Sequence, residues 1–414
     1  MSSGPCGRWR SSPTRPMAPA RSALSTSRSP ARTTQCARCW PRASSRRKMG
    51  GRSSSIRSSS SGCATSSGGA RGTRMHRSEL TVDLGAVRRN ARTLLRTLDG
   101  SQLWAVVKAN AYGHGAIDVA GALVDEGAGA LCVATVAEGL ELRREFSLVR
   151  ILVMGPTASS RQVAEAREAK LELAVWDEEL PEGVRVHLKL DTGMGRWGLS
   201  ELPALSAEVV GLMTHLATAD SDPAFAEQQV ELFREATEPY SDLMRHAANS
   251  AAALRLPSAR FDAARCGVAL YGLSPFGEDP AVDGLEPALS WHSYLAQVKQ
   301  LQPGESTGYG RRFVAEKPTW IGIVPVGYGD GFRRDLTGTE VRVGGELRPV
   351  VGTVSMDAFA VELEREEPVG APVTIIGQGV LAEAHAAVAG TINYEVLTGV
   401  VSDPRRARRV VVDA

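Results

Sequence analysis

The sequence predicts a parallel α/β barrel followed by a mainly β C-terminal domain, and three observations carry that prediction. From Leu84 to about residue 288, short apolar runs alternate with stretches whose apolar residues recur at helical spacing, as in repeated βα units. Past Leu289 the pattern becomes short β-type runs separated by Gly and Pro. No Gly-x-Gly-x-x-Gly turn follows any of the early strands, those up to Leu171–Trp176, which favours a closed sheet over an open nucleotide-binding one.

Composition separates a first segment from the rest. Residues 1–75 hold fourteen Arg, one Lys and no Asp or Glu, with few large apolar side chains. Burial there cannot offset the entropy of ordering, so disorder is expected. We read this segment as translated upstream sequence with the start at Met75, in preference to a transit peptide or a nucleic-acid-binding arm. Cys36-x-x-Cys39 has no second ligand pair nearby, so no metal site is expected. The remaining residues carry 33 of the 48 basic side chains against 46 acidic ones, a balance of −13 that gives no reason to expect nucleic acid as a partner. No apolar run reaches the roughly 18 residues of a membrane span, and no secretory signal is present, so a cytoplasmic protein is expected. Cys132 and Cys266 lie in apolar contexts suited to buried thiols.

The elements follow in order. Leu84–Leu98 is amphipathic and predicts a helix; Leu103 to Val107 predicts a strand; Ile117, Ala120, Gly121 and Val124 recur at helical spacing. Leu131–Thr135, Ile151–Met154, Leu171–Trp176, Val184–Leu190 and Gly211–Leu216 predict further short strands, several followed by helical stretches. In the C-terminal part, Val341–Val343, a Gly344-Gly345 turn and Leu347–Val351 predict a hairpin.

Six stretches carry chemistry. LWAVVKANAYGHG, from Leu103 to Gly115, is an apolar strand that delivers Lys108 and then breaks into a turn holding Tyr112. Most lysines are solvated surface charges, but an amine on an apolar strand is partly desolvated, which lowers its pKa and frees it to attack an aldehyde. Schiff-base chemistry is the natural reading, and barrel enzymes place chemistry at this end of a strand. VHLKLDTGMGRWGL puts Arg196 in a loop, where its planar fork matches a carboxylate. MTHLATAD ends a strand in His215, a position more often filled by a hydrogen-bonded core histidine than by a catalytic one. Asn249-Ser250 and Arg265-Cys266-Gly267-Val268 offer small side chains and backbone N–H groups suited to a phosphate, or simply to a turn. STGYGRRF contains Tyr309, which alone reads as a rim or packing residue.

Taken together and in order, these motifs resemble those of alanine racemases, fold-type III enzymes that use pyridoxal 5'-phosphate (PLP). The resemblance implies that Lys108 holds the cofactor, while Tyr112, Ser250, Gly267, Val268 and Tyr394 of TINYEVL bind its phosphate beside Asn249. It implies that His215 stacks on the pyridine face and that Arg265 faces the pyridine nitrogen, leaving a less protonated ring and a weaker electron sink than an aspartate gives. Arg196 contacts the cofactor's phenolic oxygen and the substrate carboxylate, steered by Lys189, which is carbamylated in some members. Tyr309 serves the partner subunit's barrel as the second base, so a homodimer with shared active sites is implied. Met356 and Asp357 of SMD, with Tyr328 and Arg334 of VPVGYGDGFRR, belong to the substrate pocket and entrance of that partner. The family architecture implies a barrel over residues 76–288 and a β domain over 289–414, with Ser78–Asp83 pairing into the latter. The implied activity interconverts L- and D-alanine by two bases, one on each face of Cα, supplying D-alanine for peptidoglycan.

Departures from the family pattern are local. Thr353 stands where an arginine is frequent near the entrance, Ser355 where cysteine is common, and Val268 where isoleucine is usual. The connections from Trp176 to Val184 and from Leu199 to Val209 are too short for full outer helices, so an incomplete helical ring is expected. RARRVV only approximates the family's closing motif. Rival readings are a broader amino-acid racemase, a PLP decarboxylase on the same fold, or a single-barrel PLP-binding regulatory protein, which would lack the β domain and Tyr309.

Overall fold

The computed structural model describes residues 76–177 and 179–414. The expectations for the basic segment and for Cys36 and Cys39 lie outside the described residues.

The chain enters through strand β1 (Glu79–Asp83) and turns at once into helix α1 (Leu84–Leu98). Asp83 caps that helix, its side chain accepting from the Gly85 amide at 2.8 Å. Val87, Ala91, Leu94 and Leu98, spaced three or four apart, are buried along one stripe, which explains why the sequence pattern located this helix to the residue.

Eight parallel strands follow: β2 (Gln102–Val106), β3 (Ala130–Val133), β4 (Ile151–Val153), β5 (Glu172–Val175), β6 (Val186–Lys189), β7 (Val209–Met213), β8 (Met244–His246) and β9 (Ala263–Cys266). Their order is β8-β7-β6-β5-β4-β3-β2-β9. The open seam between β8 and β9 is bridged by Asp262 N–H to Arg245 O at 3.0 Å and Arg265 N–H to Ala248 O at 2.9 Å, which brings the sheet round into a barrel. Helices α2 (Ala116–Asp125), α3 (Val136–Glu145) and α4 (Ser160–Glu168) cover the first crossovers. Among the described residues no helix lies between β5 and β6 or between β6 and β7, the gap that the short connections predict. The ring resumes with α5 (Pro223–Thr237) and α6 (Ser250–Arg255). One expectation is corrected here: Arg265 and Cys266 close strand β9, and only Gly267 begins the loop.

The remaining strands are β10 (Leu289–Tyr294), β11 (Gln297–Leu301), β12 (Ser306–Thr307), β13 (Phe313–Val314), β14 (Thr319–Val324), β15 (Glu340–Val343), β16 (Glu346–Val351), β17 (Phe359–Leu363), β18 (Pro372–Ile376) and β19 (Arg408–Val412). Nine strands form one sheet in the order β11-β14-β17-β16-β15-β18-β10-β1-β19. The first strand thus joins the last part of the chain, antiparallel to β10 and parallel to β19. Gly344 and Gly345, at φ 57° and 97°, make the tight β15–β16 turn, whose two positive angles glycine alone adopts without strain. A second core of Leu80, Trp291, Phe332 and Phe359 lies beneath this sheet. Helices α7 (Ala382–Ala389) and α8 (Asn393–Thr398) return the chain to the barrel.

Candidate active site

The site begins where β2 ends. Beyond Lys108 the backbone adopts the left-handed helical conformation at four successive residues without glycine: Ala109, Asn110, Ala111 and Tyr112, with φ of 52° to 54°. Each such residue costs about 1–2 kcal/mol, so the surrounding contacts must hold the turn. Glu138 accepts from Ala109 N–H at 2.7 Å, and Asn110 Oδ1 accepts from Ala116 N–H at 2.9 Å. His114 is buried; its Nδ1 lies 2.9 Å from Ala111 O and 3.2 Å from Tyr112 O and so carries the proton.

The strand ends bring together the residues that the sequence singles out. Lys108 follows β2, Lys189 ends β6, His215 follows β7, Asn249 follows β8, and Arg265 lies near the end of β9. Burial, reinforced by the Arg196 charge, lowers the Lys108 amine below the ordinary lysine value. Lys189 is pushed down to about 8 by burial and by Arg196 and Arg265. His215 is held well below the usual histidine value, first by burial and then by Arg265. The Arg196 and Arg265 charges beside these amines favour an anionic ligand.

The region where Tyr112, Ser250 and Gly267 meet is more tightly built than loop chemistry alone suggests. Burial pushes the Tyr112 hydroxyl up to about 12, and Tyr394 is also raised, by burial and then by Tyr112, so both remain neutral donors. Tyr112 packs against Tyr271, ring centroids 4.9 Å apart, and lies 6.2 Å from Tyr394, which α8 supplies from beyond the second sheet. A Cβ added at Gly267 would come within 2.7 Å of the Tyr112 oxygen, so this glycine keeps the cradle open. The expectation of a free Gly267 amide is corrected: it donates to Ser250 Oγ at 2.9 Å. Asn249 caps α6 through the Ala252 amide at 3.0 Å and lines a cleft of about 470 Å³ together with Met194, His215 and Tyr394. The donor set of hydroxyls, amine and guanidinium fits a phosphorylated aromatic aldehyde such as PLP.

Arg265 is locked from behind. Its terminal nitrogens donate to Thr214 O at 2.7 Å, His246 O at 2.8 Å and Ala247 O at 3.1 Å, and Nη1 meets His246 Nδ1 at 2.6 Å. Three buried polar residues that the sequence reading passed over, His246, His187 and Glu172, stand behind it. Their signal was a polar residue inside an otherwise apolar strand, as in VHLK and ELAV.

Tyr309, Tyr328, Met356 and Asp357 are not among the residues lining the cleft of His215, Asn249 and Tyr394. Tyr309 is 71% exposed, on a short 3-10 turn of the β domain, with its carbonyl accepting from Thr353 Oγ1 at 2.8 Å. Tyr328 and Met356 are also exposed, and Tyr328 lines a separate cleft with Arg334 and Arg312. Asp357 is tied to Arg406 at 2.7 Å.

A barrel whose strand ends gather amines, neutral tyrosines and arginines, joined to a β domain presenting an exposed tyrosine, has the make-up of a barrel enzyme with its site at the strand ends. The alanine racemase N-terminal domain family matches residues 82–275 and the C-terminal domain family matches residues 288–410. Alanine racemase 1 of Bacillus subtilis is 41% identical over 347 residues, covering 76% of this chain and 88% of the relative. The alanine racemase of Listeria monocytogenes serovar 1/2a is 38% identical over 345 residues, covering 77% and 94%. Among solved structures, alanine racemase from D-cycloserine-producing Streptomyces lavendulae aligns with a TM-score of 0.76 at 35% identity, covering 81% of this chain and 97% of that one. The biosynthetic alanine racemase of Pseudomonas aeruginosa gives 0.74 at 37% identity, covering 81% and 99%. The chain belongs to the alanine racemase family. Its second matched domain removes the single-barrel regulatory alternative.

Proposed function

We propose that this chain interconverts L- and D-alanine with PLP held on Lys108, working in the cytoplasm as a homodimer whose two active sites are shared. The observation that carries this reading is the half-buried, pKa-lowered Lys108 amine grouped with Arg196, His215 and Arg265 at the strand ends of a chain that matches both family domains. The hydroxyls of Tyr112, Tyr394 and Ser250 would hold the cofactor's phosphate, with Gly267 leaving the space and Val268 and Asn249 flanking it. Arg265, pulled down to about 10 by burial, still keeps its proton at neutral pH and offers the ring nitrogen a hydrogen bond rather than a proton. When bound, the cofactor supplies an electron sink that acidifies Cα.

Arg196 then orients the substrate carboxylate. Lys108 Nζ takes or returns the Cα proton on one face, and the partner subunit's Tyr309 does so on the other. Met356, Asp357, Tyr328 and Arg334 would shape the partner's pocket and entrance. Lys189, with much of its amine neutral near pH 8, is the place for a carbamate that would brace Arg196. The barrel is assigned to residues 76–288 and the β domain to 289–414. Lys108→Ala is expected to lower racemisation about a thousandfold or more in a chiral assay of alanine and to abolish the absorbance band of the bound cofactor. Unchanged activity would refute the reading.

A further inference from the structure

We propose that Glu172, acting through His187 and His246, is a positioning residue that fixes Arg265 as a one-way hydrogen-bond donor toward the cofactor's ring. This rests on the reading of Arg265 given above. Four polar side chains run through the barrel interior: Arg265 on β9, His246 on β8, His187 on β6 and Glu172 on β5. They are 4%, 0%, 0% and 3% exposed. Glu172 opens its strand, so it lies at the end of the barrel opposite Lys108. Alternation along β6 puts His187 and Lys189 on the same face of that strand, one deep and one at the site.

The direction of every hydrogen bond follows from the chemistry of its ends. Arginine has only donors, so Arg265 Nη1 donates to His246 Nδ1 at 2.6 Å, and that nitrogen is bare. Burial holds His246 well below the ordinary histidine value, so the ring is neutral and its proton sits on Nε2. His246 Nε2 therefore donates to His187 Nδ1 at 2.9 Å, which leaves the His187 proton on Nε2. That proton is donated to Glu172 Oε2 at 2.8 Å. The other carboxylate oxygen faces Arg150 at 3.3 Å and Arg185 at 3.2 Å. Burial alone would raise the Glu172 carboxyl, but the His187 hydrogen bond and these charges outweigh it and keep it ionised. The buried Trp104 ring packs on both imidazoles, centroids 5.5 and 4.6 Å away, and restrains both ring planes.

Packing does not require this arrangement, because a buried ionic chain replaced by apolar residues of similar volume is often no less stable. What the chain provides is direction. A carboxylate at its far end makes each imidazole a better acceptor for the one before it, and so strengthens the pull on Arg265. Arg265 is then held in place and made less acidic, which keeps its proton off the ring nitrogen. Loss of the charge at Glu172 leaves Arg265 alone, at one end of the chain, to set the orientation of the two rings.

The test uses the full-length protein loaded with PLP. Nitrogen-15 NMR of labelled histidine in the unmutated enzyme is expected to show two neutral imidazoles protonated at Nε2, His187 and His246; a proton on Nδ1 of either ring would overturn the proposal, whether or not any variant folds. In Glu172→Gln, kcat is expected to fall roughly tenfold with KM within about twofold, and the pH midpoint of the bound cofactor's absorbance to move down. Glu172→Asp is expected to recover part of both. Arg185→Gln, which removes one ion pair but leaves the His187 contact, is expected to leave both unchanged; an effect equal to that of Glu172→Gln would refute the relay. If Glu172→Gln alters neither quantity while Arg265→Lys alters both, the relay fails and the Arg265 reading stands. If Arg265→Lys also alters neither, that reading fails with it.

Discussion

Two influences make the Lys108 amine unlike a surface lysine, burial first and the Arg196 charge second. Both disfavour the ammonium form, so the neutral nucleophile persists to lower pH than on a solvated side chain. Removing the Arg196 cation reverses one of them. Arg196→Gln is expected to shift upward the pH midpoint for the rate at which the cofactor-free protein takes up PLP, followed by absorbance; a midpoint that stays or falls would contradict the assignment. At Gly267 the reasoning is steric. A methyl group 2.7 Å from the Tyr112 oxygen forces displacement worth about 1–3 kcal/mol, so Gly267→Ala is expected to weaken PLP binding roughly tenfold or more in a titration. Lys108, Tyr112 and Arg196 were legible because each sits in a distinctive local stretch. Glu172, His187 and His246 were not, because their pairing across 15 and 59 residues is a product of barrel closure that no local pattern encodes.

At the scale of elements, the turn after β2 stores strain where the lysine is presented. Ala109 is exposed at φ 52°, so its side chain contributes little burial and carries the full left-handed penalty. Ala109→Gly is expected to stabilise the protein by about 0.5–1 kcal/mol in denaturant unfolding, the relief exceeding the greater chain entropy of glycine. A destabilised variant would show that Ala109 has a packing role. Legibility at this scale followed periodicity. Leu84–Leu98 carries a clean helical stripe and was placed to the residue. Strands β8 and β9 were missed because Met-Arg-His and Ala-Ala-Arg-Cys are three and four residues long and contain no β-branched side chain. The left-handed turn was likewise invisible, since Ala-Asn-Ala-Tyr contains no glycine to announce it.

Across the whole molecule, Asp330 gathers both ends of the described chain beside Tyr328. It accepts from Arg77 at 2.8 and 2.9 Å, from Arg406 at 2.9 Å and from the Gly327 amide at 3.0 Å. Burial alone would raise its carboxyl, yet the Arg406 and Arg77 bonds prevail and lower it. A depressed carboxyl stabilises the fold above its unfolded value, and that stability is lost as pH falls through the lower folded value. Asp330→Asn is therefore expected to lower the melting temperature at pH 7 and to flatten its decline below about pH 4; equal slopes for both proteins would refute this. The order of barrel and β domain was legible from the change in apolar period alone. Tyr309 is different: its exposure on one chain would gain a use only through the proposed pairing of subunits. Mixed dimers of Lys108→Ala and Tyr309→Ala subunits test that pairing most directly. With shared sites, each hybrid contains one doubly damaged site and one intact site, so random reassociation is expected to restore about one quarter of the unmutated activity from two nearly inactive parents. A mixture no more active than its parents would contradict the shared two-base site.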